Sequence, residues 1–155
     1  MEDTIAIRPA RSTDVSQLLR LMHGLAEFEG YRDRFAVTEA DLLERGFNAD
    51  CEPQFHAFVA ANAEDQLVGY ALSYLIPFTF DLRPTLVLKE FFVEAAHRSA
   101  GLGGELYAAV IEHGRNAGAR LLRWQVLPGN ERAIQFYRGF GAKPDADWEN
   151  WILEL

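Results

Sequence analysis

His97-Arg98-Ser99-Ala100-Gly101-Leu102-Gly103-Gly104 is the stretch on which the reading of this chain turns. Ahead of it Thr85 to Val93 is β-rich, and the strand ends near Glu94. Behind it Leu102, Leu106, Ala109, Val110, His113 and Ala117 recur at helical spacing, with Arg115 in the last turn and Gly118 as the stop. The stretch is therefore a strand-loop-helix junction. Glycines there let backbone N–H groups converge, and the helix start adds partial positive charge, so the junction can hold phosphate oxygens with Arg98 beside it. The same glycines also suit a plain tight turn with positive φ. Spelling excludes two familiar phosphate loops. A Walker A loop needs Lys and Ser or Thr after its last glycine, where Glu105 and Leu106 stand. A Rossmann fingerprint needs glycine in place of Leu106 and belongs to a first strand-helix unit, whereas this junction lies about two-thirds along the chain.

Outward from the junction, the elements come in an informative order. Ile5 to Arg8 alternates and meets Pro9, a short first strand. A helix follows, capped by Ser12 or Thr13, with Asp14 in its first turn and Val15, Leu18, Leu19, Met22, Leu25 and Ala26 on one stripe. Thr38 and Asp41 form a capping box for a second, short helix that Gly46 stops. Phe55 to Ala61, Leu67 to Ile76 and Thr85 to Val93 read as an antiparallel meander, its first turn at Asn62 to Gln66. After the junction helix, Arg120 to Leu127 returns to strand, Asn130 to Arg138 to helix, and Trp148 to Leu155 closes as a strand. This order predicts an α/β (α+β) chain: one domain over residues 1–155, with a mixed, mostly antiparallel twisted sheet flanked by helices.

Length and charge narrow the function classes. At 155 residues and 49% hydrophobic content the chain can bury one sizeable core. A formal charge of −8 argues against nucleic acid as a partner, since phosphate-backbone binding needs a dense basic footprint. No run of about eighteen apolar residues is present. Met1, Glu2, Asp3 and Thr4 lack the order of a signal peptide, and Cys51 is a lone cysteine, so a cytoplasmic protein without a membrane partner is expected. His23, His56, His97 and His113 lack metal-ligand spacing and read as core or surface residues, with no metal expected. Trp124, Trp148 and Trp151 read as core or as a subunit contact.

Arg98, Gly101 and Gly103 match Arg/Gln-x-x-Gly-x-Gly/Ala, and Asn130-Glu131-Arg132-Ala133-Ile134-Gln135-Phe136-Tyr137-Arg138-Gly139-Phe140-Gly141-Ala142 matches Asn-x-x-Ala-x-x-Phe-Tyr-x-x-x-Gly-Phe/Ala. Together with Ile7-Arg8-Pro9-Ala10 and the helix after it, these segments resemble the GNAT N-acetyltransferases over nearly the whole chain. Leu25-Ala26-Glu27-Phe28-Glu29, Thr38 to Leu43, Gly46-Phe47 and Leu88-Lys89-Glu90-Phe91-Phe92-Val93 are similar to the diamine (spermidine/spermine) acetyltransferase branch. One departure stands out: that branch carries two acids before its Phe-Phe-Val, where this chain has Lys89 and then Glu90.

The resemblance implies acetyl-CoA as co-substrate and an amine as acceptor. It places the pyrophosphate on Arg98, Ser99, Ala100, Gly101, Leu102, Gly103 and Gly104, and the pantetheine arm along Phe91, Phe92 and Val93. Asn130, Ala133 and Tyr137 also fall to the CoA arm, and a homodimer through the later strands is implied. For the chemistry, Tyr137 is the candidate donor to the departing thiolate. An alkyl ammonium of pKa about 10.4 is neutral in only about one part in a thousand at pH 7.4, so a base is needed, and Glu90 is the candidate. Strand alternation puts Glu90 on the face opposite Lys89 and Phe91. Glu29, Glu90 and Glu149 resemble positions lining the amine site. The acceptors expected are a polyamine, a diamine or a lysine-like amino acid. The alternatives are a noncatalytic acyl-CoA sensor, or an enzyme acting on protein lysines or amino termini.

Overall fold

The computed structural model describes residues 4–98 and 100–155; Met1 to Asp3 and the candidate Ser99 lie outside the described residues. The chain divides into two compact units, Met1–Trp124 and Gln125–Leu155.

In the first unit the elements are β1 (Ala6–Pro9), α1 (Val15–Glu29), α2 (Glu39–Gly46), β2 (His56–Ala61), β3 (Leu67–Ile76), β4 (Thr85–Val93), α3 (Leu102–Asn116) and β5 (Leu121–Arg123). They build a five-stranded sheet in the order β1-β2-β3-β4-β5. The first four strands pair antiparallel, and β5 runs parallel to β4. The mixed, mostly antiparallel sheet and its meander are those the periodicity predicts. Leu67 to Ser73 are all buried, because both sheet faces are covered there. On one face Tyr70 and Leu72 join the core made by Leu18, Leu21, Met22 and Leu25 of α1. On the other, Gly69 and Gly114 let Leu106 and Leu86 come close, which seats α3. The α1 stripe is wider than the spacing predicts: Leu21 is buried, while Leu19 is half-buried.

Helix α1 starts differently from the prediction. Ser12 and Thr13 make no capping bond but form a tight 3-10 turn with Asp14, whose carboxylate accepts from the Arg11 N–H at 2.7 Å. That carboxylate also takes two bonds from Arg8, at 2.7 and 3.0 Å, and Asp14 is 3% exposed. The Arg8 guanidinium holds the Asp14 carboxyl below its usual range. Arg8→Ala leaves a buried charge without its partner and is expected to cost about 3 kcal/mol in urea unfolding. A loss under about 1 kcal/mol would put the pair among solvent-screened ones.

The capping box of α2 forms as predicted, with the Asp41 N–H donating to Thr38 Oγ1 at 3.2 Å and the Thr38 N–H to Asp41 Oδ2 at 2.8 Å. Gly46 does end that helix, but for a packing reason. A Cβ there would stand 2.2 Å from the Phe55 ring, so the glycine serves the close approach of Phe55.

Two expected strands are revised. Strand β5 covers only Leu121–Arg123 of the expected Arg120 to Leu127, since it pairs only with Thr85–Val87. In the second unit, α4 spans Glu131–Gly139, with the Asn130 side chain accepting from the Ala133 N–H at 3.3 Å. The closing strand Trp148 to Leu155 does not form: these residues have no regular structure, and Trp148 and Trp151 are 80% and 87% exposed. Alternation becomes strand only where a neighbour completes the ladder. The core reading of these two tryptophans is corrected accordingly, while Trp124 packs edge-on against Tyr107 at 5.6 Å. Among the described residues no helix is long and apolar enough to cross a membrane.

Candidate active site

The junction read from the sequence is built as a strand end, a one-turn 3-10 helix (Ala95–His97) and the start of α3. Gly101 sits at the cap of α3 with φ +83°, a conformation costly for any side chain, so the glycine is required there by backbone geometry. Leu102 is buried and anchors the first turn, while Gly103 and Gly104 occupy that same turn. Ala100 and Gly101 are exposed. Arg98 is tied to the strand: its Nε donates to the Val93 carbonyl at 2.8 Å, and its guanidinium lies over the Phe28 and Phe92 rings at 5.4 and 5.6 Å. The cation is thereby fixed beside the glycines by two aromatic rings and one hydrogen bond.

Along β4 the side chains alternate as core while one backbone edge lacks a strand. Phe92 packs on α1, where a Cβ at Gly24 would come within 3.0 Å of its ring, and Phe91 meets Tyr107 of α3 edge-on at 6.5 Å. Val93 is 8% exposed. Strand β3 pairs with β4 over its whole length, but β5 pairs only with Thr85–Val87. Among the described residues, Leu88 and Glu90 to Val93 therefore have a strand partner on one side only.

The alternation expected around Glu90 is broken by a bulge. Leu72 pairs with Glu90 and Ser73 with Leu88, so Lys89 has no partner on β3. Cross-strand partners share a face, which sets Glu90 with Tyr70 and Leu72 towards α1, and Leu88 and Phe91 on the opposite side. Glu90 does oppose Phe91. Lys89, expected on the Phe91 face, is instead the extra residue of the bulge.

Glu90 is half-buried and accepts a hydrogen bond from the Tyr70 hydroxyl at 3.1 Å; Tyr70 itself is fully buried. Desolvation pushes the Glu90 carboxyl above its ordinary range, and Glu29 adds to this, while Lys89 and the Tyr70 hydroxyl oppose it. Glu29, at the end of α1, is also raised by desolvation and lowered by Lys89. The Tyr31 hydroxyl is pushed up to about 12 by burial and by Glu90 and Glu29, and the Tyr70 hydroxyl is raised well above its ordinary value by burial first and then Glu90. Glu29, Tyr31, Tyr70, Lys89 and Glu90 thus form one electrostatic group. A carboxylate with a raised pKa and a fixed hydrogen-bond donor holds a proton more readily than an ordinary carboxylate and is suited to proton exchange.

Tyr70 and Tyr31 are missing from the sequence-based set. Tyr70 reads as core within an apolar run, and only strand register places its hydroxyl against Glu90. Glu149 lies in the exposed, irregular part of the second unit. In that unit Tyr137 is on α4, its ring 5.3 Å from that of Phe136, which lies as close to Phe140. Ala133 is held at the helix start by the Asn130 cap.

Two of the histidines meet away from Glu90. His56 and His113 stack at 4.1 Å, and burial lowers both below the ordinary imidazole value. Among the described residues no group of three or more His, Cys, Asp or Glu side chains is arranged to hold a metal ion.

Comparison with known proteins adds to this geometry. The model of the Acetyltransferase (GNAT) family matches residues 19–142, a span that runs through both units. A thialysine N-epsilon-acetyltransferase from Mus musculus is 33% identical over 153 residues, covering 94% of this chain and 88% of that protein. A spermidine/spermine N(1)-acetyltransferase-like protein 1 from Homo sapiens is 30% identical over 159 residues, covering 97% of this chain and 22% of that one. A solved aminoglycoside N-acetyltransferase in complex with CoA has the same fold, with a TM-score of 0.78 at 19% identity over 100% of this chain and 98% of the other.

Proposed function

The chain belongs to the acetyltransferase (GNAT) family, and from that premise we propose that it moves an acetyl group from acetyl-CoA to a primary amine of a small cationic metabolite. The acceptor is a polyamine, a diamine or a lysine-like amino acid, and transfer is direct within a ternary complex. The observation that carries this reading is the open edge of β4. From Leu88 to Val93 a linear ligand can add to the sheet like a further strand, and the edge runs straight into the glycine junction. The relatives named for thialysine and polyamine acetylation support the choice of acceptor.

In this proposal Arg98 to Gly104 hold the pyrophosphate by converging N–H groups and charge. Phe91 to Val93, Asn130 and Ala133 hold the pantetheine arm. Acetyl-CoA supplies the acyl thioester. Glu90 takes a proton from the ammonium, directly or through water, and Glu29 and Glu149 hold the remaining positive charge of the acceptor. As the amine nitrogen bonds to the carbonyl carbon and the C–S bond breaks, Tyr137 gives a proton to the thiolate, and the proton that the nitrogen sheds on becoming an amide returns to Tyr137. The whole chain, 1–155, acts as one domain in this reading, in the cytoplasm and without a metal. Trp151, Ile152, Leu153 and Leu155, all at least 84% exposed, support a homodimer in which the segment from Trp148 onward meets a second copy.

The test is CoA release from acetyl-CoA against polyamines, amino acids, amino sugars and lysine peptides, with acetylated products identified by mass. Transfer to a small amine supports the reading. Tight acetyl-CoA binding with no transfer to any amine would replace it with that of a sensor, and transfer to peptides alone would move the acceptor to protein. Gly103→Glu should weaken acetyl-CoA binding about tenfold or more, because it sets a negative charge against the pyrophosphate. A folded variant with normal binding would remove the junction from the site.

A further inference from the structure

Two ion pairs close along α1 and just beyond its end. Arg32 meets Glu27 at 3.8 Å, and Arg20 meets Glu94 at 3.3 Å. The charges around Glu90 are not closed in this way. Among the described residues, no cation stands within 4.0 Å of the Glu29 or Glu90 carboxylates, and no carboxylate within that distance of the Lys89 ammonium. Yet all three act on one another: Lys89 lowers both acids, and Glu29 raises Glu90. The bulge is what sets Lys89 there, because it inserts an exposed residue next to Glu90 at the point where β4 loses its β5 partner.

Two anions and one cation, close together and unneutralised, define the charge pattern of a complementary ligand: two ammonium groups and one carboxylate. We infer that Lys89 reads a carboxylate on the acceptor, so that the preferred substrate is a diamino monocarboxylic acid rather than a simple diamine or polyamine. One ammonium, the one to be acetylated, meets Glu90, and the other meets Glu29. A diamine satisfies the two acids equally well but leaves Lys89 facing positive charge, with nothing to offset the repulsion. This inference rests on the amine-acetyltransferase reading above and narrows its acceptor.

Matched pairs that differ only by the carboxylate test it: L-lysine against 1,5-diaminopentane, and L-ornithine against 1,4-diaminobutane, each by kcat/KM with acetyl-CoA. The wild-type ratio of amino acid to diamine is expected to be about tenfold or more in at least one pair. Lys89→Gln should cut that ratio about tenfold, Lys89→Glu should reverse it, and Lys89→Arg should keep it. Any effect of these changes on Glu90 basicity falls on both members of a pair and cancels in the ratio. A wild-type preference for the diamines, or a ratio unchanged in Lys89→Gln, overturns the inference while leaving the amine reading intact. So does transfer to other small amines with none to these four compounds. Absence of transfer to every amine tested overturns both.

Discussion

Replacement of Tyr137 by Phe is expected to lower kcat by about 10²- to 10⁴-fold, the usual span for loss of a positioned proton donor. Acetyl-CoA affinity should stay near wild type. The substitution is clean because it removes one oxygen from a ring that packs beside Phe136 on α4, a helix whose start is held by the Asn130 cap. A proton that reaches the thiolate as the C–S bond breaks stabilises the transition state and not the bound acetyl-CoA, so the loss belongs in turnover and not in binding. Stopped-flow or steady-state kcat together with an equilibrium titration of acetyl-CoA separates the two. Turnover equal to wild type would take Tyr137 out of the mechanism, and the aromatic packing on α4 would be its whole role.

Glu90→Gln carries the second large effect, an expected fall of about 10²- to 10⁴-fold in kcat/KM with loss of the acid limb of the pH profile. Desolvation raises the Glu90 pKa, so in wild type the basic form is gained as pH rises through a value above the ordinary carboxylate range. Activity should therefore climb through that window and fall away below it. The Tyr70 hydroxyl donates to the ionised form and opposes the rise. Tyr70→Phe removes that donor, which pushes the Glu90 pKa further up and moves the acid limb to higher pH. The sign of this shift separates a hydrogen-bonding role from simple packing, since a packing defect alone would lower activity across the profile without moving it. Superimposable profiles for wild type and Glu90→Gln would exclude Glu90 as the base.

Much of the fold is legible along the chain because its causes are local. The Thr38–Asp41 box, the Asn130 cap and the positive φ at Gly101 and Gly118 depend on residues within a turn of one another. Helical stripes of period 3.6 mark α1 and α3, and the family motifs share these segments. The misreadings arise where a segment depends on distant partners. Trp148 to Leu155 has the apolar content of a strand but no strand pairing, and β5 is cut to three residues by the reach of its pairing with β4. Asp14 reads as a first-turn acid, while Arg8 from β1 makes it a buried ion pair.

The candidate site divides along the same line. By itself the sequence determined the glycine junction, the helix that follows it, the placement of Tyr137 on a capped helix and the presence of Lys89 directly before Glu90. Each is a property of a short stretch, set by backbone stereochemistry and residue type. Only the tertiary structure decided that Tyr70 bonds to Glu90, that Tyr31 and Glu29 share its field, and that Lys89 is the extra residue of a bulge beside Glu90. Those relations join α1, β3 and β4 across some 20 to 60 residues of chain. They follow from strand register, in which a shift of one residue would turn every side chain to the other face.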